Sequence, residues 1–227
     1  MSLLNQTKYK IFYIPPKSII NCTKESEYCD YTQFSKNRSH PHAGNNRGVF
    51  EEDSDGLIKL AYSDWDKPGV KFEKLLEFIA LKNHYNGKQK WRNSVFALRL
   101  KKYIAIVQKQ KSFNKSDLSA KLAIYFKTLE PVKKSSKINE LILKRENLID
   151  ILFDSILKNV VQPITKKKNF IDNISINVGE GGKIFFNNRG HHRLSIAKIL
   201  NLKLVPVKIT VAKSETILKN FIFKYEK

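Results

Sequence analysis

Four consecutive residues in the C-terminal part of the chain have the side chains and the spacing to bind an anion. They are Gly190, His191, His192 and Arg193, and the apolar positions after them predict a helix that begins here. A helix start exposes N–H groups and the positive end of the helix dipole, and glycine allows close approach to the backbone. Two histidines and an arginine add donors and charge that suit a phosphate. The alternative is an ordinary strand-to-helix turn with two exposed histidines.

The segments around this turn predict a unit of two strands, a helix and a returning strand. Residues 174–186 contain two apolar runs around a glycine-rich turn, which is typical of a β-hairpin. From residue 192 the apolar positions recur at helical spacing as far as a stop signal at Asn201, and residues 204–211 predict a further strand. The sequence therefore predicts that a sheet and a helix position the glycine turn.

The unit from Ile174 to Val211 resembles the ParB/sulfiredoxin-like superfamily. In that superfamily a hairpin, a (D/N)-G-[HE]-[HR]-R turn, a helix and a strand containing VPV follow one another. The matching residues are Asn188, Gly190, His191, His192, Arg193 and Val205-Pro206-Val207, with Arg189 as an extra residue before the glycine. A weaker likeness reaches back over residues 148–163, which are similar to the helix and strand that open such domains. The resemblance implies an α+β fold: a small mixed sheet with helices, elaborated by an N-terminal, mostly helical region.

The resemblance also implies a ligand, because the turn cradles the phosphates of a nucleotide in this superfamily. The phosphate-binding residues would be Asn188, Gly190, His191, His192 and Arg193. ATP, ADP or CTP would be the nucleotide, with Mg²⁺ as a candidate companion ion. If the protein is an enzyme, it would be a nucleotide-dependent kinase or other phosphotransferase, or a nucleotide hydrolase. The candidate catalytic residues are His191, His192 and, in the hairpin turn, Glu180.

Two activities of the superfamily are not expected here, and two other functions stay open. Sulfiredoxins carry a catalytic cysteine directly after the glycine, where this chain has His191. Partition proteins continue into helix-turn-helix and dimerisation segments, whereas sixteen residues follow Val211. One open alternative is a nucleic-acid-binding or nuclease-like module that holds a backbone phosphate in the turn. The other is a non-catalytic sensor that binds an anion there and changes a partner surface.

Composition gives a broad indication of partner and compartment. The net charge of +21 over 227 residues favours attraction to nucleic acid or anionic ligands. Most of the excess is lysine in a chain rich in isoleucine and asparagine, so a solvated lysine-rich surface is the competing interpretation. Cys22 and Cys29 lack metal-type spacing and therefore predict no zinc site. A reduced pair is expected, with a disulfide between them as the alternative. The sequence has no signal-peptide pattern or stretch of transmembrane length, so we expect a cytoplasmic protein without membrane contact.

The chain is predicted to divide into an elaboration, residues 1–130, and a ParB/sulfiredoxin-like domain, residues 138–227. The elaboration is predicted to contain a strand within residues 9–20 that ends at Pro15-Pro16, a polar loop over 21–46, and three helices, over residues 72–84, 91–109 and 113–129. It also holds an acidic cluster: Glu51, Glu52, Asp53, Asp55, Asp64 and Asp66. These carboxylates would either pair with the protein's own lysines or hold Mg²⁺ against a bound nucleotide.

Overall fold

A mixed sheet with helices packed on it is the architecture of the residues that the computed structural model describes: 3–23, 57–62, 64–86, 135–187 and 189–226. Its strands are β1 Phe12–Ile14, β2 Asn21–Thr23, β3 Lys59–Leu60, β4 Pro68–Lys71, β5 Ile174–Val178, β6 Ile184–Phe186 and β7 Val205–Ala212. The α-helices are α1 Leu3–Gln6, α2 Leu76–Tyr85, α3 Ser135–Asn159, α4 His191–Ile199 and α5 Glu215–Tyr225. The predicted combination of a mixed sheet and helices is confirmed.

Strands from both ends of the chain share one sheet. The strand order is β1-β7-β5-β6-β2-β4, and β3 pairs with the far end of β7 on the same edge as β1. Strand β5 runs parallel to β7 and antiparallel to β6. The described part of the predicted N-terminal elaboration thus contributes four strands, β1–β4. The helices predicted over residues 91–129 lie outside the described residues, and the division into two domains stays a prediction.

One face of the sheet carries the apolar core because side chains alternate along each strand. Ile174, Ile176 and Val178 of β5 face the same side and are buried. The helices α4 and α5 pack against this side with Leu194, Ala197, Leu218 and Phe221. Ser214 caps α5, because its hydroxyl accepts a hydrogen bond from the N–H of Ile217 at 3.3 Å. The predicted hairpin, the helix after it and the returning strand are all present within about two residues of their expected bounds.

The first predicted strand ends at Pro15-Pro16 as expected, but it is shorter than predicted because it begins only at Phe12. Only β1 is extended in a ladder, and residues Pro16–Ser18 form a 3₁₀ turn. Proline has no N–H to donate to a ladder, so the pair at Pro15 and Pro16 ends β1. The chain then re-enters the sheet as β2, where a polar loop was predicted to begin. Cys22 lies on β2 as a buried thiol in the core, and Cys29 is outside the described residues.

Two other predicted elements differ from the structure. The helix predicted from Phe72 starts with the 3₁₀ turn Phe72–Lys74, and α2 begins only at Leu76 because Leu75 is extended. The strand expected at the end of residues 148–163 is absent from the described chain there. Instead, the side chain of Asn173 accepts from the N–H and donates to the carbonyl of Ile164, both at 2.9 Å, as a strand partner would.

Candidate functional site

The glycine turn lies against the first residues of β5. Gly190 has a left-handed backbone with φ +73°, and a Cβ at this position would lie 2.5 Å from the Cα atom of Ile174. The N–H of Ser175 donates to the carbonyl of Arg189 at 3.1 Å, and the N–H of Asn187 donates to the carbonyl of Ser175 at 2.9 Å. Position 190 therefore requires glycine for two reasons: its left-handed backbone conformation and its close contact with the neighbouring strand.

The helix that follows has no side-chain cap. Gly190 occupies the N-cap position of α4, and the first intrahelical hydrogen bond runs from the N–H of Leu194 to the carbonyl of Gly190 at 2.9 Å. The N–H groups of residues 191–193 consequently have no acceptor within the helix. Helix α5, by contrast, begins with a serine cap. The dipole at the start of α4 therefore favours an anion there, and no side-chain cap of Gly190 competes for that position.

His191 is buried behind the turn. Its side chain is only 7% exposed, and its ring lies 5.5 Å from the ring of Phe72 and 6.2 Å from that of Phe186, between centroids. Burial, with a smaller contribution from the charge of His192, lowers the pKa of His191 to about 3. His191 is therefore neutral near pH 7, and a protonated donor in this turn would have to be another residue.

His192 and Arg193 are the half-buried members of the predicted group. The ring of His192 lies 5.4 Å from that of His191 in an edge-to-face arrangement. Burial lowers the pKa of Arg193, and the nearby carboxylate of Asp172 opposes this effect. A guanidinium stays protonated in proteins at neutral pH, so the turn carries a partly desolvated positive charge. Asn188, the remaining predicted phosphate residue, lies outside the described residues.

The structure does not bring Glu180 together with the two histidines. Glu180 follows β5 in the hairpin turn Glu180–Gly182, whereas Gly190 contacts Ile174 at the start of the same strand. The length of β5 separates these two points by ~13 Å at the usual rise of a strand. The exposed side chain of Glu180 is therefore at the end of the sheet opposite the glycine turn.

The acidic cluster is represented by Asp66, whose side chain is the one of the six that the structure describes. Its Oδ1 atom accepts from Lys213 Nζ at 2.9 Å, and its Oδ2 atom accepts from the N–H of Glu180 at 2.8 Å. Burial tends to raise the pKa of Asp66, but these two hydrogen bonds outweigh it and the pKa is lowered. Asp66 thus pairs with a lysine at the end of the sheet opposite the turn. No cluster of three metal-ligating side chains occurs within the described ranges.

A group of buried polar residues on the second face of the sheet was not predicted. Ser175 of β5 is paired with Lys208 of β7, and on its other side it lies opposite Asn187, the residue after β6. Thr23 of β2 lies at the same level, because the residue before it is paired with Phe186. Asn177 and Thr210 lie farther along β5 and β7. All of these side chains are buried, and we refer to them as the polar row: Thr23, Ser175, Asn177, Asn187, Lys208 and Thr210. The signal in the sequence is the alternation of polar and apolar residues in ISINV and VPVKITV, which places the polar residues on one face without showing that this face is buried.

Two side-chain oxygens of the polar row lack a donor among the described residues. They are the Oδ1 atoms of Asn177 and Asn187, and each is shielded from solvent. The Nδ2 atom of Asn177 donates to the hydroxyl of Thr23 at 3.0 Å, which satisfies the other end of that carboxamide. A buried acceptor without a donor costs about 1–3 kcal/mol, so two on one face call for an explanation.

Comparisons with protein-family models, with curated proteins and with solved structures give no match to this chain. Within the described residues, no helix is long and apolar enough to span a membrane.

Proposed function

We propose that this protein binds a nucleotide by its phosphates at the turn from Gly190 to Arg193. The observation that carries the proposal is the left-handed glycine at the N-cap of α4, which leaves the helix start without a side-chain cap. The first N–H groups of the helix and its dipole favour an anion. Arg193 adds the positive charge that a polyphosphate requires.

The proposed roles of the residues follow from where each one lies. Gly190 lets a phosphate approach the backbone, and Arg193 neutralises its charge. His192 is the half-buried histidine of the pair and donates a hydrogen bond to the ligand. His191 is neutral and packed against Phe72, so its role is to hold the start of the helix in place. Asn188 is proposed as a further phosphate ligand from the resemblance alone.

The fold family that we propose is the ParB/sulfiredoxin-like one. A hairpin, the glycine turn, a helix and a VPV-containing strand parallel to the first hairpin strand support this proposal. The corresponding chemistry is transfer or hydrolysis of a nucleotide phosphate, with ATP, ADP or CTP as the nucleotide and Mg²⁺ as the companion ion. The position of Glu180 does not favour it as the base in that reaction.

Isothermal titration of ATP, ADP, CTP and inorganic tripolyphosphate, with Mg²⁺ present, tests the proposal. Loss of a charge-assisted hydrogen bond costs about 1.5–3 kcal/mol, so Arg193→Ala should weaken binding by about 10- to 100-fold. Lys219→Ala is the matched control, because it removes one positive charge from the exposed surface of α5. Equal affinities for the wild type and a folded Arg193→Ala variant would refute the proposal.

A nucleic-acid-binding or nuclease-like module is the second candidate, and the net charge of +21 supports it. Lysine and arginine contacts to backbone phosphates release counterions, so the affinity for a DNA duplex would fall steeply with salt. Binding of a short duplex should then weaken by at least about tenfold between 50 and 200 mM salt. Nucleotide binding without duplex binding would exclude this candidate.

A further inference from the structure

Two lysine side chains meet at one aromatic ring just before β1. The ammonium of Lys8 lies 5.5 Å and that of Lys167 lies 5.6 Å from the centre of the Tyr9 ring. The ring stands edge-to-face on Phe170, with 5.3 Å between the centroids. Both lysines are exposed, and neither forms an ion pair with a carboxylate of the described residues. Two like charges held at one ring favour a bound anion, because it relieves their repulsion.

The backbone of Tyr9 is held in an unusual conformation. Its φ is +57°, in the left-handed region that a bulky side chain rarely occupies. The next residue is fixed, because the N–H of Lys10 donates to the carbonyl of Thr7 at 3.1 Å and its ammonium forms an ion pair with Glu226. Backbone conformations of this kind cluster at ligand-binding sites, and here the conformation places the ring where the two lysines meet.

An exposed aromatic ring lies one helical turn before Glu226, the residue that ends α5. Phe223 is 89% exposed, although the opposite face of α5 is buried in the core. Residues three apart are neighbours on a helix surface, so the ion pair of Glu226 with Lys10 connects this ring to the group at Tyr9. Lys224, also exposed, adds a further charge beside Phe223. We call these residues the aromatic–basic strip: Lys8, Tyr9, Lys167, Phe223 and Lys224.

We infer that the aromatic–basic strip binds single-stranded nucleic acid. Its lysines contact the phosphates of the strand, whose charge they neutralise without reading the sequence. An unpaired base stacks on Phe223, since every base has a flat face and the bases of a duplex are already stacked on one another. The net charge of +21 adds long-range attraction for the same polyanion. The inference does not depend on the proposed nucleotide site, because the strip contains no residue of the glycine turn.

Fluorescence anisotropy of labelled oligothymidylate and oligouridylate tests the inference on the full chain. Strands of about 12 nucleotides match the size of a small single-strand site. The DNA and RNA strands share the chemistry that the strip requires and differ in the sugar. The wild type should bind at least one of them, with an affinity that falls as salt rises from about 50 to about 200 mM. No binding of either strand at the lower salt concentration would overturn the inference.

Variants of the exposed ring test whether a base stacks there. Phe223→Ala should weaken binding by about 5- to 100-fold, because stacking on an aromatic ring is lost. Phe223→Trp keeps an aromatic surface and should retain the wild-type affinity. Tyr62→Ala is the matched control, because Tyr62 is 70% exposed and follows β3, at the opposite end of β7 from β1. Equal affinities for the wild type and a folded Phe223→Ala variant would overturn the inference.

The two charges at Tyr9 are tested by salt dependence. Lys8→Gln and Lys167→Gln should each reduce the slope of log affinity against log salt by ~0.7, the contribution of one phosphate contact in a single strand. Lys183→Gln removes an exposed charge next to the hairpin turn and should leave the slope unchanged. Wild-type slopes in both of the first two variants would contradict the proposed phosphate contacts.

Two other results would assign the binding elsewhere. Polyglutamate of the same charge is a polyanion without bases, and equal affinity for it would overturn the inference. Loss of strand binding in Arg193→Ala, with wild-type affinity in Phe223→Ala, would place the strand at the glycine turn and would also overturn it. Nucleotide binding at the turn is measured separately, so the proposed function and this inference can each fail without the other.

Discussion

Replacing Gly190 by alanine should destabilise the fold more than the same change at Gly181. Both glycines have a left-handed backbone, with φ +73° and +66°, so an alanine costs about 1–2 kcal/mol at either position. They differ in their surroundings. A Cβ on Gly190 would lie 2.5 Å from the Cα atom and 2.7 Å from the N atom of Ile174, whereas a Cβ on Gly181 meets no atom within 4 Å.

The close contact at Gly190 is with backbone, which no side-chain rotation can relieve. Ile174 belongs to β5, which has a paired strand on each side, so separating the turn from it disturbs the ladder. Overpacking of this kind costs about 1–3 kcal/mol in addition to the conformational penalty. The expected losses are therefore about 2–5 kcal/mol for Gly190→Ala and about 1–2 kcal/mol for Gly181→Ala.

Urea denaturation of the wild type and the two variants, followed by circular dichroism, measures these free energies of unfolding. Equal m-values would show that the variants differ in stability rather than in the surface exposed on unfolding. If both substitutions cost the same, the packing of the turn on β5 is wrong. The proposed phosphate site would then lose the geometry on which it depends.

Two further predictions concern ionisable groups. Because the pKa of His191 is lowered to about 3, the ring stays neutral in the folded state between pH 6.5 and pH 3. In the unfolded state it binds a proton over the same range. The free energy of unfolding should then decrease by about 1.4 kcal/mol per pH unit toward pH 3. Denaturation at several pH values should show a flatter dependence for His191→Gln. An unchanged slope would contradict the burial of the ring. Asp66→Asn should cost about 1–3 kcal/mol at pH 7, and its effect should fade below pH 3.8 because the pKa of Asp66 is lowered. As the control, Glu215→Gln breaks the exposed i,i+4 pair with Lys219 and should cost less than about 0.5 kcal/mol. Similar losses for Asp66→Asn and Glu215→Gln would argue against the partly buried Asp66–Lys213 pair.

The elements that carry the glycine turn could be predicted because their signals are local. Glycines at positions 179, 181 and 182 mark the hairpin, and regular apolar spacing after Gly190 marks α4. The capless start of α4 also follows from sequence, since glycine at the N-cap has no side chain to accept a hydrogen bond. The state of His191 could not be predicted in this way. Its burial depends on Phe72, which is more than a hundred residues away in the chain.

The pairing of the short strands in the sheet could not be predicted from the sequence either. β1 and β2 are three residues each, and their places beside β7 and β6 result from pairing between distant segments. Such pairing leaves no periodic signal in a short strand. The polar row was missed for a related reason, because alternation in β5 and β7 indicates which residues share a face but not whether that face is buried.

Backbone amide shifts in a ¹⁵N–¹H NMR titration with tripolyphosphate, ATP and CTP test the phosphate cradle most directly. The account predicts that the amides of His191, His192 and Arg193 shift most, because their N–H groups point at the bound phosphate. The amides at the start of α5, where Ser214 caps the helix, serve as the internal control and should not move. Saturable nucleotide binding that leaves the three α4 amides unshifted would contradict the proposed site.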